Sequence, residues 1–389
     1  MKYSSFIVFI CLVTATLVNA QNNHAPKALI AMAKKLASLR SVSYQYHREL
    51  FYPDNNFFDT LEGPSYIAFD NTDKRSVSRF RIESKDHVII FNGAELFKLN
   101  KKAKTYSLSI QPNTRSFGQY SLFFNSIQAL RNEIPQLIAG DSIPMYQQDT
   151  MIDARLYKMV QLNMRRWMQY MGSDQRLDSG VVFYYRIIID PVTWLPYQVI
   201  QTSNVGKNSV NKTIFTGINM QPKEPDANSW YYTTYAGEYR RETKEKGRPL
   251  IAAGAILLPN WSLPEFNGSD GPDFKAGSLK GKLVLLDFWI KNCGYCMKSF
   301  QELQRLQKTY GGDRFQLLSI NAYDKKEDIG FFFKREKPLY KMLYNGAALA
   351  KELGVEGYPT AVLLDSTGKV IYAGEFDHAK LEELIKANL

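Results

Sequence analysis

The stretch "LLDFWIKNCGYC", residues 285–296, decides the fold of the last third of this chain. The nearly continuous apolar run "KLVLLDFWI" predicts a central strand that is covered on both faces. The residues after the stretch, up to about Tyr310, have helical spacing. Cys293 and Cys296 therefore lie where a buried strand meets a helix. Two cysteines in this spacing form a redox pair, half of a zinc site or a structural disulfide.

The cysteine count separates these three interpretations. The chain has three cysteines and four histidines, and Cys11 lies in a predicted signal peptide that export removes. A zinc site needs four ligands, and no histidine is close to the remaining pair in sequence. A disulfide that closes so short a loop stabilises a fold only slightly. A redox pair is the strongest interpretation, and we expect no bound metal.

Residues 1–20 have the pattern of an export signal. Lys2 is followed by the apolar run "FIVFICLVTATLV" and by "VNA", a small-residue cleavage site before Gln21. The apolar run is too short to span a bilayer well. In a bacterium this signal predicts a periplasmic protein.

The 389 residues are enough for two domains, and the sequence pattern changes along the chain accordingly. Residues 21–225 open with a predicted helix and continue with period-two segments, interrupted by a helix over 116–134 that stops near Pro135. This order predicts a large curved sheet with helices on one side. Residues 226–250 are polar and rich in helix breakers, which predicts a linker. Residues 251–389 alternate strands and helices, which predicts an α/β domain.

The basic excess of the chain is concentrated before this last part. The net charge is +11, yet from Ile251 onward 18 Lys and Arg face 17 Asp and Glu, which leaves 31 against 21 before it. A basic surface favours anionic partners such as phospholipid head groups. A solvated basic face without a partner explains the same excess. Hydrophobic residues make up 45% and charged residues 22%, an ordinary globular composition.

Four features of the last part of the chain occur together in one known family. The run "LKGKLVLLDFW" leads into the cysteines, Asp287 lies six residues before Cys293, and Trp289 lies four residues before it. Further on, "GYPT" contains Pro359, where that family has a cis-proline loop beside its cysteines. Residues 251–389 thus resemble a thioredoxin-fold protein of the TlpA-like exported disulfide reductases.

The resemblance implies a redox-active disulfide and no further cofactor. Cys293 at the helix start would be the attacking thiol, and Cys296 would resolve the mixed disulfide. A buried Asp287 would have a raised pKa and exchange the proton of Cys296. Pro359, if cis, would turn the chain so that nearby backbone pairs with a substrate strand. The residues expected to bind substrate are Trp289, Tyr295, Tyr358 and Thr360.

Two positions depart from the family pattern. Asn292 replaces a second tryptophan that is common before the first cysteine, and Tyr295 replaces the proline of "CGPC". The dipeptide of "CGYC" is the type seen in periplasmic DsbC-like isomerases. The direction of electron flow is therefore open, and an isomerase or oxidase is the alternative to a reductase.

Residues 24–225 resemble the LolA-like lipoprotein-carrier superfamily. The resemblance depends on the opening helix, "GPSYIAFDN", "VIIFNGAELFKLNKKAKTYS", the mid-chain helix and "IIIDPVTWLPYQVI". It implies an antiparallel half-barrel (α+β) whose apolar concave face takes up acyl chains. Aromatic residues can line such a cavity or fill an ordinary core. The candidates are Phe91, Phe97, Tyr106, Phe183 and Tyr185.

Three hypotheses for function follow. The first is an exported thiol–disulfide oxidoreductase, a reductase, with an accessory binding domain. The second keeps the chemistry but makes it an isomerase or oxidase. The third is a lipid- or lipoprotein-binding carrier with an adaptor thioredoxin domain. The expected partners are protein thiols and disulfides, a membrane electron donor of the DsbD type and lipid or lipoprotein, with no nucleic acid.

Overall fold

We describe the chain from a computed structural model. The structure describes residues 25–69, 78–113, 116–117, 125–140, 143–165, 180–206, 208–243, 247–291 and 293–389. The predicted signal peptide (1–20) and Asn292 lie outside the described residues. No helix within these ranges combines the length and the apolar character that crossing a membrane requires.

The N-terminal part forms one twelve-stranded sheet. Its spatial order is β12-β6-β5-β4-β3-β2-β1-β11-β10-β9-β8-β7, antiparallel except for the pairing of β12 with β6. Period two dictates this: along β1 every second side chain from Val42 to Leu50 is buried. The strands are β1 (Ser41–Tyr52), β2 (Phe57–Ala68), β3 (Arg79–Glu83), β4 (His87–Phe91), β5 (Glu95–Asn100), β6 (Thr105–Ile110), β7 (Met145–Ile152), β8 (Arg155–Met164), β9 (Phe183–Ile189), β10 (Pro196–Ser203), β11 (Val210–Asn219) and β12 (Arg240–Arg241).

Two helices pack on one face of this sheet. Helix α1 (Lys27–Ala37) and helix α2 (Ile127–Ala139) contribute apolar side chains to one buried cluster with the sheet. The prediction that the mid-chain helix stops near Pro135 is wrong, because α2 continues four residues past it. The apolar positions on both sides of the proline are buried in the core, and this packing offsets the hydrogen bond that proline removes.

The predicted linker also differs from the structure. Within residues 226–239, Trp230 and Tyr239 pack on the other face of the sheet, where they are 3% and 8% exposed. Arg240–Arg241 then join the sheet as β12. Both rings belong to a second cluster with Tyr66, Ile90 and residues around them. These large aromatic side chains pack against an apolar face of the sheet. The segment that carries them is therefore part of the folded N-terminal part and not a separate linker.

The aromatic residues proposed for an acyl-chain cavity lie on opposite faces of the sheet. Phe91 and Tyr185 are buried in the helix-covered cluster, against which Phe183 packs, whereas Phe97 and Tyr106 belong to the second cluster. They therefore do not line one cavity. Their role in the structure is to fill two cores.

The C-terminal part has a thioredoxin-like seven-stranded sheet in the order β14-β13-β17-β16-β15-β18-β19. The predicted central strand, the helix after the cysteines and the hairpin around "STGK" are confirmed. Strands β15, β16 and β17 are parallel to one another. Strand β18 runs antiparallel to β15, and β19 runs antiparallel to β18. The elements are β13 (Ser262–Phe266), β14 (Asp270–Lys275), β15 (Leu283–Trp289), α3 (Gly294–Tyr310), β16 (Phe315–Asn321), α4 (Lys326–Glu336), β17 (Lys341–Leu343), α5 (Ala347–Glu352), β18 (Thr360–Leu364), β19 (Val370–Glu375) and α6 (His378–Asn388).

Strand β15 divides the C-terminal core into two layers. All seven of its residues are buried. Leu285 and Trp289 pack into the cluster that contains Cys296, while Leu286 and Phe288 pack into the cluster on the opposite face. The alternation of strand side chains therefore puts Asp287 on the same face as Cys296.

Candidate redox site

The two cysteines lie at the N-terminus of α3 and form a disulfide. Cys293 is the N-cap residue of the helix, and its Sγ accepts a hydrogen bond of 3.0 Å from the backbone N–H of Cys296. The first N–H groups of a helix have no partner within the helix, and the helix dipole is positive at this end. A negative charge on the Cys293 sulfur is therefore stabilised at this position.

The two sulfurs differ in exposure. Cys293 is partly exposed, the following Gly294 is exposed, and Tyr295 is 75% exposed. Cys296 is 0% exposed and packs in the cluster with Trp289 and Phe300. Only one sulfur of the pair is accessible to a second protein.

Asp287 is a buried carboxyl group on the face of β15 that packs against the cluster containing Cys296. It is 0% exposed, and its Oδ2 accepts a hydrogen bond of 3.3 Å from the Ser319 hydroxyl on β16. Its Oδ1 has no hydrogen-bond partner within the described residues. Burial raises the pKa of Asp287 to about 7, and the hydrogen bond from Ser319 opposes that shift. Asp287 is thus poised to bind or release a proton near neutral pH.

The loop before β18 forms the other side of the site. The Tyr358–Pro359 peptide bond is cis, which confirms the predicted geometry of Pro359. The Tyr358 carbonyl oxygen lies 3.3 Å from Cys293 Sγ. Since a disulfide sulfur carries no proton, this is a close contact rather than a donated hydrogen bond. The loop backbone therefore lies against the exposed sulfur.

Two of the side chains predicted to bind substrate, Trp289 and Thr360, are buried in the structure. Trp289 is 0% exposed and packs edge-on against Phe300 and Phe332, with ring centroids 5.0 and 5.2 Å apart. Thr360 is 7% exposed, and its hydroxyl donates to the Gly357 carbonyl oxygen at 2.8 Å. A substrate cannot reach either side chain in this structure. Trp289 supports the core under the cysteines, and Thr360 fixes the loop.

Two residues of the site were not identified from the sequence. Tyr323 is 63% exposed, and its ring centroid lies 6.0 Å from that of Tyr358, so it extends the aromatic surface beside Cys293. Asp324 accepts the backbone N–H of Lys291 at 2.6 Å and thereby fixes the loop before the cysteines. Both follow the carboxyl end of β16. Because sites of open α/β sheets lie at the carboxyl ends of their strands, this position was the signal available in the sequence.

Comparison with known proteins places the likeness in the C-terminal part. Residues 257–384 match the Redoxin family. The chain is 27% identical over 159 residues to the thiol-disulfide oxidoreductase ResA of Bacillus thuringiensis subsp. konkukian, a match that covers 40% of this chain and 86% of that protein. The C-terminal region is a thioredoxin-family oxidoreductase.

Two further likenesses are narrower. The chloroplastic protein SUPPRESSOR OF QUENCHING 1 of Arabidopsis thaliana is 30% identical over 119 residues, which are 28% of this chain and 11% of that protein. This chain thus spans about a tenth of its length. A crystal structure described as a putative thiol:disulfide interchange protein DsbE from Chlorobium tepidum is 27% identical, with a TM-score of 0.33, and covers 36% of this chain and 98% of its own.

Proposed function

We propose that this protein exchanges its Cys293–Cys296 disulfide with cysteines of partner proteins outside the cytoplasm, and that it acts mainly as a reductase. The single observation that carries the proposal is the asymmetry of the pair at the start of α3. Cys293 is accessible at the helix N-terminus, and Cys296 is buried directly behind it. An accessible nucleophile with a sequestered second thiol suits a reaction that begins on a partner and ends within the protein.

The reaction starts from the dithiol form. The Cys293 thiolate attacks one sulfur of the partner's disulfide, so that a Cys293–partner bond forms and the partner's own S–S bond breaks. The released partner sulfur leaves as a thiolate and takes up a proton. Cys296 then loses its proton, attacks Cys293 Sγ and releases the second partner thiol. Two electrons pass from the protein to the partner, and the Cys293–Cys296 disulfide remains.

Asp287 is the proposed proton acceptor for the second attack. Asp287 is the one acidic residue of β15, and it lies on the same sheet face as Cys296. Because burial raises its pKa to about 7, Asp287 can take the Cys296 proton near neutral pH and release it afterwards. When the flow of electrons is reversed, the same group returns the proton.

The dipeptide between the cysteines supports a second candidate, a disulfide isomerase or oxidase. Tyr295 takes the place of the thioredoxin proline and is 75% exposed at the start of α3. An altered helix start changes how well the thiolate is held, and a better-stabilised thiolate makes the disulfide more oxidising. The reduction potential therefore decides between the two candidates.

Location and further partners are proposals with separate support. The export pattern of residues 1–20 supports a periplasmic location. We propose a membrane donor of the DsbD type as the source of electrons, since an exported reductase must be re-reduced outside the cytoplasm. A lipid or lipoprotein ligand of the N-terminal part is supported by its basic excess alone. Native mass spectrometry of the purified full chain tests whether a lipid is bound. Protein that carries no lipid would contradict this part of the proposal.

The test of the proposed function is a trapping experiment. Cys296→Ser cannot complete the second attack, so it should accumulate mixed disulfides with partner proteins through Cys293. Cys293→Ser should accumulate none. The control is the double variant, which leaves no thiol in the mature chain. Mixed disulfides through Cys296 in C293S, or none in C296S, would contradict the proposal.

A further inference from the structure

The tip of the β1–β2 hairpin reaches across to the C-terminal part of the molecule. A short turn, Pro53–Asn55, closes this hairpin, and Asn56 follows in a left-handed conformation with φ of 48°. The Asn56 side-chain amide donates to Asp328 Oδ1 on α4 at 2.9 Å. Beside it, the Arg335 guanidinium donates to the Asp54 carbonyl oxygen.

Asp328 connects this hairpin to the loop that precedes Cys293. Its side chain is only 8% exposed, and its second oxygen, Oδ2, accepts the Lys291 ammonium group at 2.8 Å. Each carboxylate oxygen thus has one donor, Asn56 from the N-terminal sheet and Lys291 from the loop. Leaving one oxygen of a buried carboxylate without a hydrogen bond costs free energy. Asp328 therefore favours an arrangement in which Asn56 and Lys291 both stay in contact with it.

Lys291 is held at two points, two residues before Cys293. Its ammonium group binds Asp328, and its backbone N–H donates to Asp324 Oδ2. A second connection runs through Arg335, whose Nη2 lies 3.2 Å from Met297 Sδ. The Met297 backbone N–H in turn donates to the Cys293 carbonyl oxygen at 3.1 Å. The hairpin is therefore connected, through Asp328 and Arg335, to residues on both sides of Cys293 in the chain.

We propose that Asn56 is a positioning residue for Cys293, acting through Asp328 and Lys291, and that the N-terminal sheet thereby sets the reactivity of the redox site. The inference deepens the proposed function and rests on it. The Lys291 charge favours a thiolate at Cys293, and Asp328 offsets part of that charge. Asn56 is a neutral donor that holds Asp328 in place without adding charge. The N-terminal part is then a component of the site rather than a spacer.

Other charged or titratable groups face this region and stay constant in the test. They come from β15, from the end of β16, from α3 and α4 and from the loop before β18. These groups are Asp287, Lys298, Tyr323, Asp324, Arg335 and Tyr358.

The experiment compares Asn56→Asp with Asn55→Asp in the full chain. Asp, like Asn, tolerates a left-handed backbone, so N56D replaces the donor by a carboxylate with little backbone cost. Asn55 precedes it in the same turn, and its side chain makes no hydrogen bond within the described residues. Reduced protein is alkylated with iodoacetamide over a range of pH, and the rate at Cys293 is followed by mass spectrometry.

We expect N56D to lower the Cys293 alkylation rate at pH 7 about threefold, because the added carboxylate competes for Lys291 and disfavours the thiolate. Asp328→Asn should raise the rate, because it frees the Lys291 charge. N55D should match the wild type. Opposite signs for N56D and D328N separate this role from general loosening of the fold, which would move both in one direction.

A second pair keeps the test decisive if N56D does not fold. Asn56→Gly removes the donor, and glycine accepts the left-handed backbone. Its rate should fall by less than that of N56D, with Asn55→Gly as its control. Equal rates for N56D, N55D and wild type would overturn the positioning role, and so would a shift of N56D and D328N in the same direction. Failure of Cys296→Ser to accumulate mixed disulfides through Cys293 would instead refute the proposed function.

Discussion

The two sheets of this protein bury comparable aromatic cores but differ in what they do with buried polar groups. In the C-terminal sheet, Asp287 is buried on the same face as Cys296, and one of its oxygens has no partner within the described residues. In the N-terminal sheet, buried Asn211 accepts from Arg48 at 3.0 Å and donates to Gln201 at 3.2 Å. Both parts of the chain also contain buried side-chain atoms without a hydrogen-bond partner within the described residues, such as Thr213 Oγ1 and Asp287 Oδ1, so such an atom alone does not mark a reactive site. Asp287 differs in being a carboxyl group whose pKa burial raises to about 7, on the sheet face that holds Cys296.

The largest expected effect separates the two cores. Trp230→Ala in the N-terminal part and Trp289→Ala in the C-terminal part each remove a buried indole, which costs about 3–5 kcal/mol of the free energy of unfolding. Urea unfolding measures both. Only W289A should also change the reduction potential, because Trp289 packs in the cluster with Cys296. If W230A changed the reduction potential and W289A did not, the assignment of Trp289 to the core of the redox site would be contradicted.

The next effect concerns the proton of Cys296. Asp287→Asn keeps the shape of the side chain but removes proton transfer, so the second attack should slow by about a hundredfold. Rapid quenching with acid should then show mixed disulfide accumulating in D287N. Ser319→Ala, which removes only the hydroxyl bound to Asp287, is the matched control and should slow the step far less. An unchanged second step in D287N would exclude Asp287 as the acceptor.

The same variant tests the buried carboxyl through stability. Burial raises the pKa of Asp287 to about 7 from an ordinary value of 3.8, so the folded state binds the proton more tightly. This contribution is fully present below about pH 4 and is lost as pH rises through 7. D287N should therefore unfold with a higher free energy than wild type above pH 7, by a few kcal/mol, and the difference should shrink toward pH 4. Parallel pH profiles for the two proteins would contradict the raised pKa.

The smallest effect tests the dipeptide. Tyr295→Pro restores the thioredoxin sequence "CGPC", and we expect its potential to be more negative by on the order of 30 mV, because the native helix start holds the thiolate better. Equilibration with glutathione measures both potentials. Tyr323→Phe, in the same aromatic surface but outside the helix, is the control. A wild-type potential at or below that of Y295P would remove the argument for a less reducing pair.

The sequence predicted local features well and long-range contacts poorly. The apolar run before Cys293 and the spacing of Asp287 and Pro359 were sufficient for β15, α3 and the loop beside the disulfide, because neighbouring residues determine each of them. The contact of Asn56 with Asp328 joins residues 272 positions apart, and no local pattern announces it. Side-chain exposure was also out of reach.

The polar composition of residues 226–250 led to a wrong prediction for part of that segment, because its few aromatic residues determine how it packs. Trp230 and Tyr239 lie in a breaker-rich segment that predicted a linker, yet both rings pack on the sheet. Likewise Pro135 favoured a helix end, and the buried apolar positions beyond it kept the helix intact. In both cases tertiary packing outweighed local preference. The domain boundaries derived from composition remain predictions.

The asymmetry of the two cysteines is tested most directly by the order in which their thiols react. The fully reduced full-length protein is treated with limiting iodoacetamide near pH 7, and labelled peptides are quantified by mass spectrometry. We expect Cys293, which is partly exposed at the start of α3, to be modified first, while Cys296, which is 0% exposed, stays largely unmodified. Equal labelling of both thiols, or faster labelling of Cys296, would contradict it.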